Sequence, residues 1–178
     1  MENEIFSYSR SGAFQHIKIF KKIPTAKETE RRKKRFTQMI HDYLSDLRKD
    51  LSSEDYLEKI SGFRDFLNRC GTECDVIEKD ISFGVAQKLL NLYLKYEWCL
   101  GKIDEPPHCP VDSVILQELG MNELKWSQMD RGQYEDVIEV IKKKANSVSI
   151  AVWELAIWKK DTREDVDKSV AHHPMDNI

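Results

Sequence analysis

The chain has 178 residues, 33% of them charged and 40% hydrophobic, with 4 cysteines, 7 glycines and 5 prolines; this fits one soluble domain and excludes a disulfide scaffold or a loop-rich sandwich. No apolar stretch reaches the roughly 20 residues of a membrane span, and the first residues, MENEIFSYSRSG, lack the apolar segment of a secretory leader, so the expectation is a cytoplasmic, mostly helical protein. The net charge of −3 conceals an asymmetry, because residues 1–50 carry 12 Lys/Arg against 7 Asp/Glu while residues 51–178 carry 16 against 24. Polyanion binding would therefore have to rest on a local patch.

Residues 1–24 give no clear periodicity. FQHIKIFKKIP alternates partly like a strand and ends at Pro24, so this segment is predicted to be irregular or an edge element. Thr25 is placed to cap a helix over about 26–50, with Phe36, Met39, Ile40, Tyr43, Leu44 and Leu47 recurring at intervals of three and four. Ser52-Ser53-Glu54-Asp55 is a second cap signal, opening a helix with Tyr56, Ile60, Phe63 and Leu67 on one face, Gly62 inside it and a stop at Gly71.

The most informative stretch is SFGVAQKLLNLYLKYEWCLG. From Leu89 to Leu100 it is apolar almost all round, which predicts a helix over 84–100 buried on most sides and central to the core. Lys88, Asn91 and Lys95 fall on one narrow polar stripe of it, which either reaches solvent or lines a cleft. Gly101 supplies a stop, KIDEPPHCP reads as a stiff loop, and Asp112 is placed to cap a short helix closed by Gly120. Two more helical patterns follow, YEDVIEVIKKK and SVSIAVWELAIWKK, split near Ser147 or continuous through it. The expectation is an all-α single domain of six or seven helices over 1–160, with a mobile tail at 161–178.

Chemistry suggests itself around the stripe. A lysine beside a second cation such as Lys95, on a buried helix, has the surroundings that make an amine nucleophilic. An aspartate at a helix N-terminus is suited to stabilising developing positive charge. A glycine-preceded helix start can hold a phosphate on its backbone N–H groups.

The residues Gly84-Val85-Ala86-Gln87-Lys88, followed by Pro110-Val111-Asp112, resemble the helix-hairpin-helix DNA glycosylases, in particular the 8-oxoguanine-type branch. There a Gly-Val-Gly-x-Lys hairpin opens a buried helix and Pro-Val-Asp starts the next. The resemblance covers about 30 of the 178 residues. It implies that Lys88 is a Schiff-base lysine, that Asp112 is its catalytic aspartate, and that Gly84 and Val85 begin a phosphate-binding hairpin. Ala86 stands where the family has its second hairpin glycine, and Ile81-Ser82-Phe83 replaces the usual leucine-proline entry. A flipped base would stack on Tyr93 or Trp98, with DNA held by Gly84, Val85, Ala86, Gln87, Asn91 and Lys95 and by the basic run Arg31, Arg32, Lys34 and Arg35. No cofactor is expected.

Other readings stand beside this one. The lysines would equally solubilise an exposed helix edge, Asp112 is also an ordinary cap, and the chain would then be a helical interaction module. The basic run has Glu28 and Glu30 beside it, as a solvated face would. Arg35 and His41 resemble the Arg-x4–6-His signature of the HEPN ribonucleases, which implies RNA cleavage at a dimer interface. Cys70, Cys74, Cys99, Cys109 and His108 do not have zinc-site spacing, so free, mostly buried thiols are expected and no metal. Oligomeric state is not legible.

Overall fold

Leu89, Leu90, Tyr93 and Leu94 are fully inside the protein, as a segment apolar on most sides requires. The computed structural model describes residues 2–15, 17–51 and 56–159. These form α1 (Glu2–Phe14), α2 (Ala26–Leu47), α3 (Tyr56–Glu73), α4 (Phe83–Cys99), α5 (Ser113–Glu118), a 3-10 turn at Trp126–Gln128, α6 (Arg131–Ala145) and α7 (150–159). Among the described residues the architecture is all-α, with α4 at its centre packed against α1, α3, the 3-10 turn and α6. No helix among them is long and apolar enough to cross a membrane. The cap signal at 52–55 and the tail from 161 to 178 lie outside the described residues.

The ends of the helices follow local chemistry. The Thr25 hydroxyl accepts from the Glu28 amide at 3.3 Å, Ser82 caps α4 through the Val85 amide at 3.2 Å, and Asp130 and Gln133 form a reciprocal capping box on α6. Gly101, at φ +68°, lets the Lys102 amide return to the Glu97 carbonyl at 3.0 Å and its own amide to Trp98 at 2.8 Å, the Schellman closure that favours a left-handed residue. α6 stops at Ala145 and the chain turns at Asn146 (φ 53°) before α7, so the last two helical patterns are split.

The expectation for the N-terminal segment is overturned. Residues 2–14, expected to be irregular, form α1, with Ile5, Phe6, Ser9 and Ala13 buried at helical spacing. Ser7, Ser9, Ser11 and Gly12 are weak helix formers, so its stability comes from the face laid on α4 rather than from propensity. The strand-like character survives further on: Phe20 makes an antiparallel bridge with Ile77, with Glu78 donating to the Ile19 carbonyl at 2.7 Å and Lys21 to Val76 at 2.9 Å. Gly71 does not end α3, which runs to Glu73; it is buried against Ile77, where a Cβ would lie 2.6 Å from the side chain.

Candidate functional site

The polar stripe of α4 neither reaches open solvent nor lines an empty cleft; the rest of the chain has folded over it. Lys88 Nζ lies 3.3 Å from Asp112 Oδ2, with the two side chains only 12% and 4% exposed. The Trp126 ring covers the ammonium, its centroid 4.3 Å from Nζ, a cation–π contact strengthened by desolvation. Asp112 caps α5 with its other oxygen, Oδ1, which accepts from Val114 at 3.0 Å and Ile115 at 3.3 Å. One carboxylate thus serves a helix N-terminus and a lysine at once.

Beside this pair runs a chain of buried hydrogen bonds. Tyr56 donates its hydroxyl proton to Asn91 Oδ1 at 2.5 Å, and the two protons of Asn91 Nδ2 are shared among three acceptors, the Cys109 carbonyl at 3.0 Å, Tyr134 Oη at 3.0 Å and Gln87 Oε1 at 3.2 Å. Having accepted from Asn91, the Tyr134 hydroxyl is set to donate to His108 Nδ1, 3.1 Å away. That arrangement needs a neutral imidazole, and burial, with Lys142 adding to it, holds the His108 pKa down at about 4. Burial pushes the Tyr56, Tyr134 and Cys109 groups above their ordinary values, so all three keep their protons.

Two turns along the same face, Lys95 Nζ meets Glu154 on α7 at 2.8 Å, under the ring of Trp158 at 5.4 Å. Glu154 is 1% exposed, and burial drives its pKa up to about 7 in spite of Lys95. The negative charge of Asp112 pushes in the same direction, so the two lysine–carboxylate pairs feel each other along the stripe. On another side of α4 the fully buried Glu97 is held by Arg48 from the end of α2 and by Lys102 at 3.2 Å.

The expected nucleic-acid face at the start of α4 is corrected by its burial. Gly84, Val85, Ala86, Gln87, Asn91 and Lys95 are all buried. The Gly84 amide donates to the Met129 carbonyl at 2.9 Å, and a Cβ there would lie 1.8 Å from the Trp126 carbonyl oxygen. The glycine is needed for the chain's own backbone to approach, not to leave room for a phosphate. The nearby groove of about 520 Å³ sets Asp65, Asp80 and Asp130 against the one cation Arg64 in its lining, which disfavours an anion. Tyr93, 1% exposed, is a core residue with no face for a base. Trp98 is partly buried, ten residues and so about 15 Å along the helix from Lys88. Lys95, expected as a second cation beside Lys88, is engaged instead by Glu154.

The basic run of α2 is exposed but neutralised. Arg31 and Arg32 both bind Glu28 at 2.7 Å, Arg32 also binds Asp75, Arg35 binds Glu73, and Lys34 is exposed. These hydrogen bonds pull the Glu28 pKa down to about 2. His41 packs edge-on against Phe6 at 5.3 Å and faces α1, whereas Arg35 faces the end of α3, so the two do not meet within one chain. Cys70, Cys74 and Cys109 are free and buried, and Cys99 is free and exposed. Among the described residues, no group of three or more His, Cys, Asp or Glu side chains is arranged to hold a metal.

Trp126, Glu154, Tyr56, Tyr134 and His108 complete the constellation, and sequence reasoning does not single them out for it. Their signal is faint: two tyrosines, a tryptophan, a glutamate and a histidine inside otherwise ordinary helical or loop segments. Compared with protein families, curated proteins and solved structures, the chain matches none.

Proposed function

We propose that the chain acts on DNA as a base-excision enzyme with lyase capacity, its reactive centre the Lys88–Asp112 pair. The observation that carries this reading is the 3.3 Å contact between a lysine amine and a carboxylate 24 positions later, in a mostly buried site. In the reaction the lysine gives a proton to Asp112 and its nitrogen attacks the sugar C1′. The C1′–base bond breaks, its electron pair leaves with the base, and Asp112 passes its proton to the base and is a carboxylate again. The C1′–O4′ bond then breaks as a proton moves from the nitrogen to the ring oxygen, leaving a protonated imine between Lys88 and C1′. The carboxylate, held by two backbone N–H groups, faces the positive charge that develops on the sugar. The substrate has to enter at the edge of the lysine that the Trp126 ring leaves open.

The test is borohydride trapping with abasic-site and base-lesion DNA. The expected result is a covalent adduct that Lys88→Ala abolishes and Asp112→Asn weakens while folding is kept. Absence of any adduct, together with no DNA binding at low salt, overturns the reading.

A second reading, a non-catalytic helical interaction module, is favoured by the sealed start of α4, whose Gly84 amide is taken by Met129. On that reading the Lys88–Asp112 contact is a structural clamp, and Lys88→Met leaves every binding property unchanged.

A further inference from the structure

Gln87 is fully buried on α4 and immediately precedes Lys88; Val111 is fully buried and immediately precedes Asp112. Gln87 Nε2 donates to the Val111 carbonyl at 2.7 Å, and the Val111 amide donates to Gln87 Oε1 at 3.2 Å. One side-chain amide therefore reads both backbone groups of a single residue, as a neighbouring strand would. Its orientation is not arbitrary: Asn91 Nδ2 donates to the same Oε1 at 3.2 Å, and Asn91 is oriented in turn by the Cys109 carbonyl, which can only accept, 3.0 Å from Nδ2. With the amide reversed, Oε1 would face the Val111 carbonyl and Nε2 would face two donors, so only one placement satisfies the buried groups.

We infer that Gln87 is the positioning residue that sets the contact between Lys88 and Asp112, through this two-bond clamp on Val111. Asn91 holds the Cys109 carbonyl at 3.0 Å, and Gln87 takes the position directly before Asp112. The loop from Gly101 to Val111 is long enough to present its far end in many registers, and no regular secondary structure fixes it. The clamp acts one residue away from each member of the pair, so a shift of Val111 is passed straight to the Asp112 carboxylate. Gln87 touches neither charge, and its role holds whether or not the pair performs chemistry.

The experiment is a double-mutant cycle, Lys88→Met with Asp112→Asn, measured by urea unfolding in the native background and again in the Gln87→Met background. Methionine keeps the length and volume of Gln87 and removes both hydrogen bonds. The expected result is that the coupling between Lys88 and Asp112 seen with Gln87 in place is lost in the Gln87→Met background while the variant remains folded. A residue that served only general stability would lower the unfolding midpoint and leave the coupling intact, and that result overturns the inference. Should Gln87→Met fail to fold, Gln87→Asn carries the test. It keeps a neutral amide but is one methylene too short to hold both backbone groups of Val111, so the coupling falls; an unchanged coupling overturns the inference. Both readouts are independent of activity, so failure of the borohydride trap does not bear on them.

Discussion

Two cationic helix faces in this protein look alike in the sequence and differ in the structure. The first half of α2 presents Arg31, Arg32 and Arg35 to solvent, each matched to a carboxylate of Glu28, Glu73 or Asp75 at the surface. The stripe of α4 presents Lys88 and Lys95 inward, each matched to a carboxylate and an aromatic ring in a mostly buried setting. Both faces neutralise charge with charge. Water decides what that is worth: it screens the first set and is largely kept from the second, where an unpaired charge has nowhere to go.

Breaking the buried side should therefore be costly. The largest effect is expected for Asn91→Leu, which strands the Tyr56 hydroxyl and the Cys109 carbonyl; urea unfolding should show a loss of roughly 3–5 kcal/mol. Next comes Asp112→Ala, which removes the α5 cap and leaves Lys88 buried without its carboxylate, a loss of roughly 2–4 kcal/mol. Lys88→Met should cost less, about 1 kcal/mol, because the carboxylate keeps its two N–H donors. If the lysine variant proves as costly as the aspartate one, the pair and not the cap dominates.

The pH dependence sharpens the same contrast. Glu154 has a folded-state pKa of about 7, above its ordinary 4.5, so it binds its proton more tightly when folded. Its contribution favours the fold below about 4.5 and is lost as pH rises toward 7. His108 runs the other way: with a folded-state pKa of about 4 against the usual 6.5, its contribution is present above 6.5 and lost as pH falls toward 4. In the native chain the two trends oppose each other. Glu154→Gln should remove the first and expose a decline in melting temperature on acidification that the native protein partly hides. A parallel pH profile for variant and native chain would refute this account of Glu154.

The smallest effect belongs to the surface. Arg31→Ala leaves Glu28 still paired with Arg32, and its melting temperature should match the native value, all the more so in high salt. A clear drop would mean that the α2 cluster is more than a screened surface network.

Much of the local architecture is legible in the sequence. Thr25 and Asp112 act as caps, Gly101 ends α4, and the apolar run from Leu89 marks the core helix, because each of these depends on groups only a few residues apart. α1 escapes a reading of the sequence because its serines and glycine carry no helical preference of their own, and only packing on α4 stabilises it. The Lys88–Asp112 pairing is reached through a resemblance, whereas the clamp of Gln87 on Val111 and the pairing of Lys95 with Glu154 carry no local mark at all.

The sequence by itself determined which side chains share the polar face of α4, since a helical repeat of 3.6 residues places Gln87, Lys88, Asn91 and Lys95 together whatever surrounds them. Only the tertiary structure decided what that face meets. The path of the loop back to Asp112, the Trp126 turn laid over Lys88 and the docking of α7 through Glu154 turned a stripe that could have been solvated into the buried polar seam of the protein. The physical reason is range: caps and periodicity act over one or two turns of helix, while burial of a charge depends on segments 24 and 59 positions away.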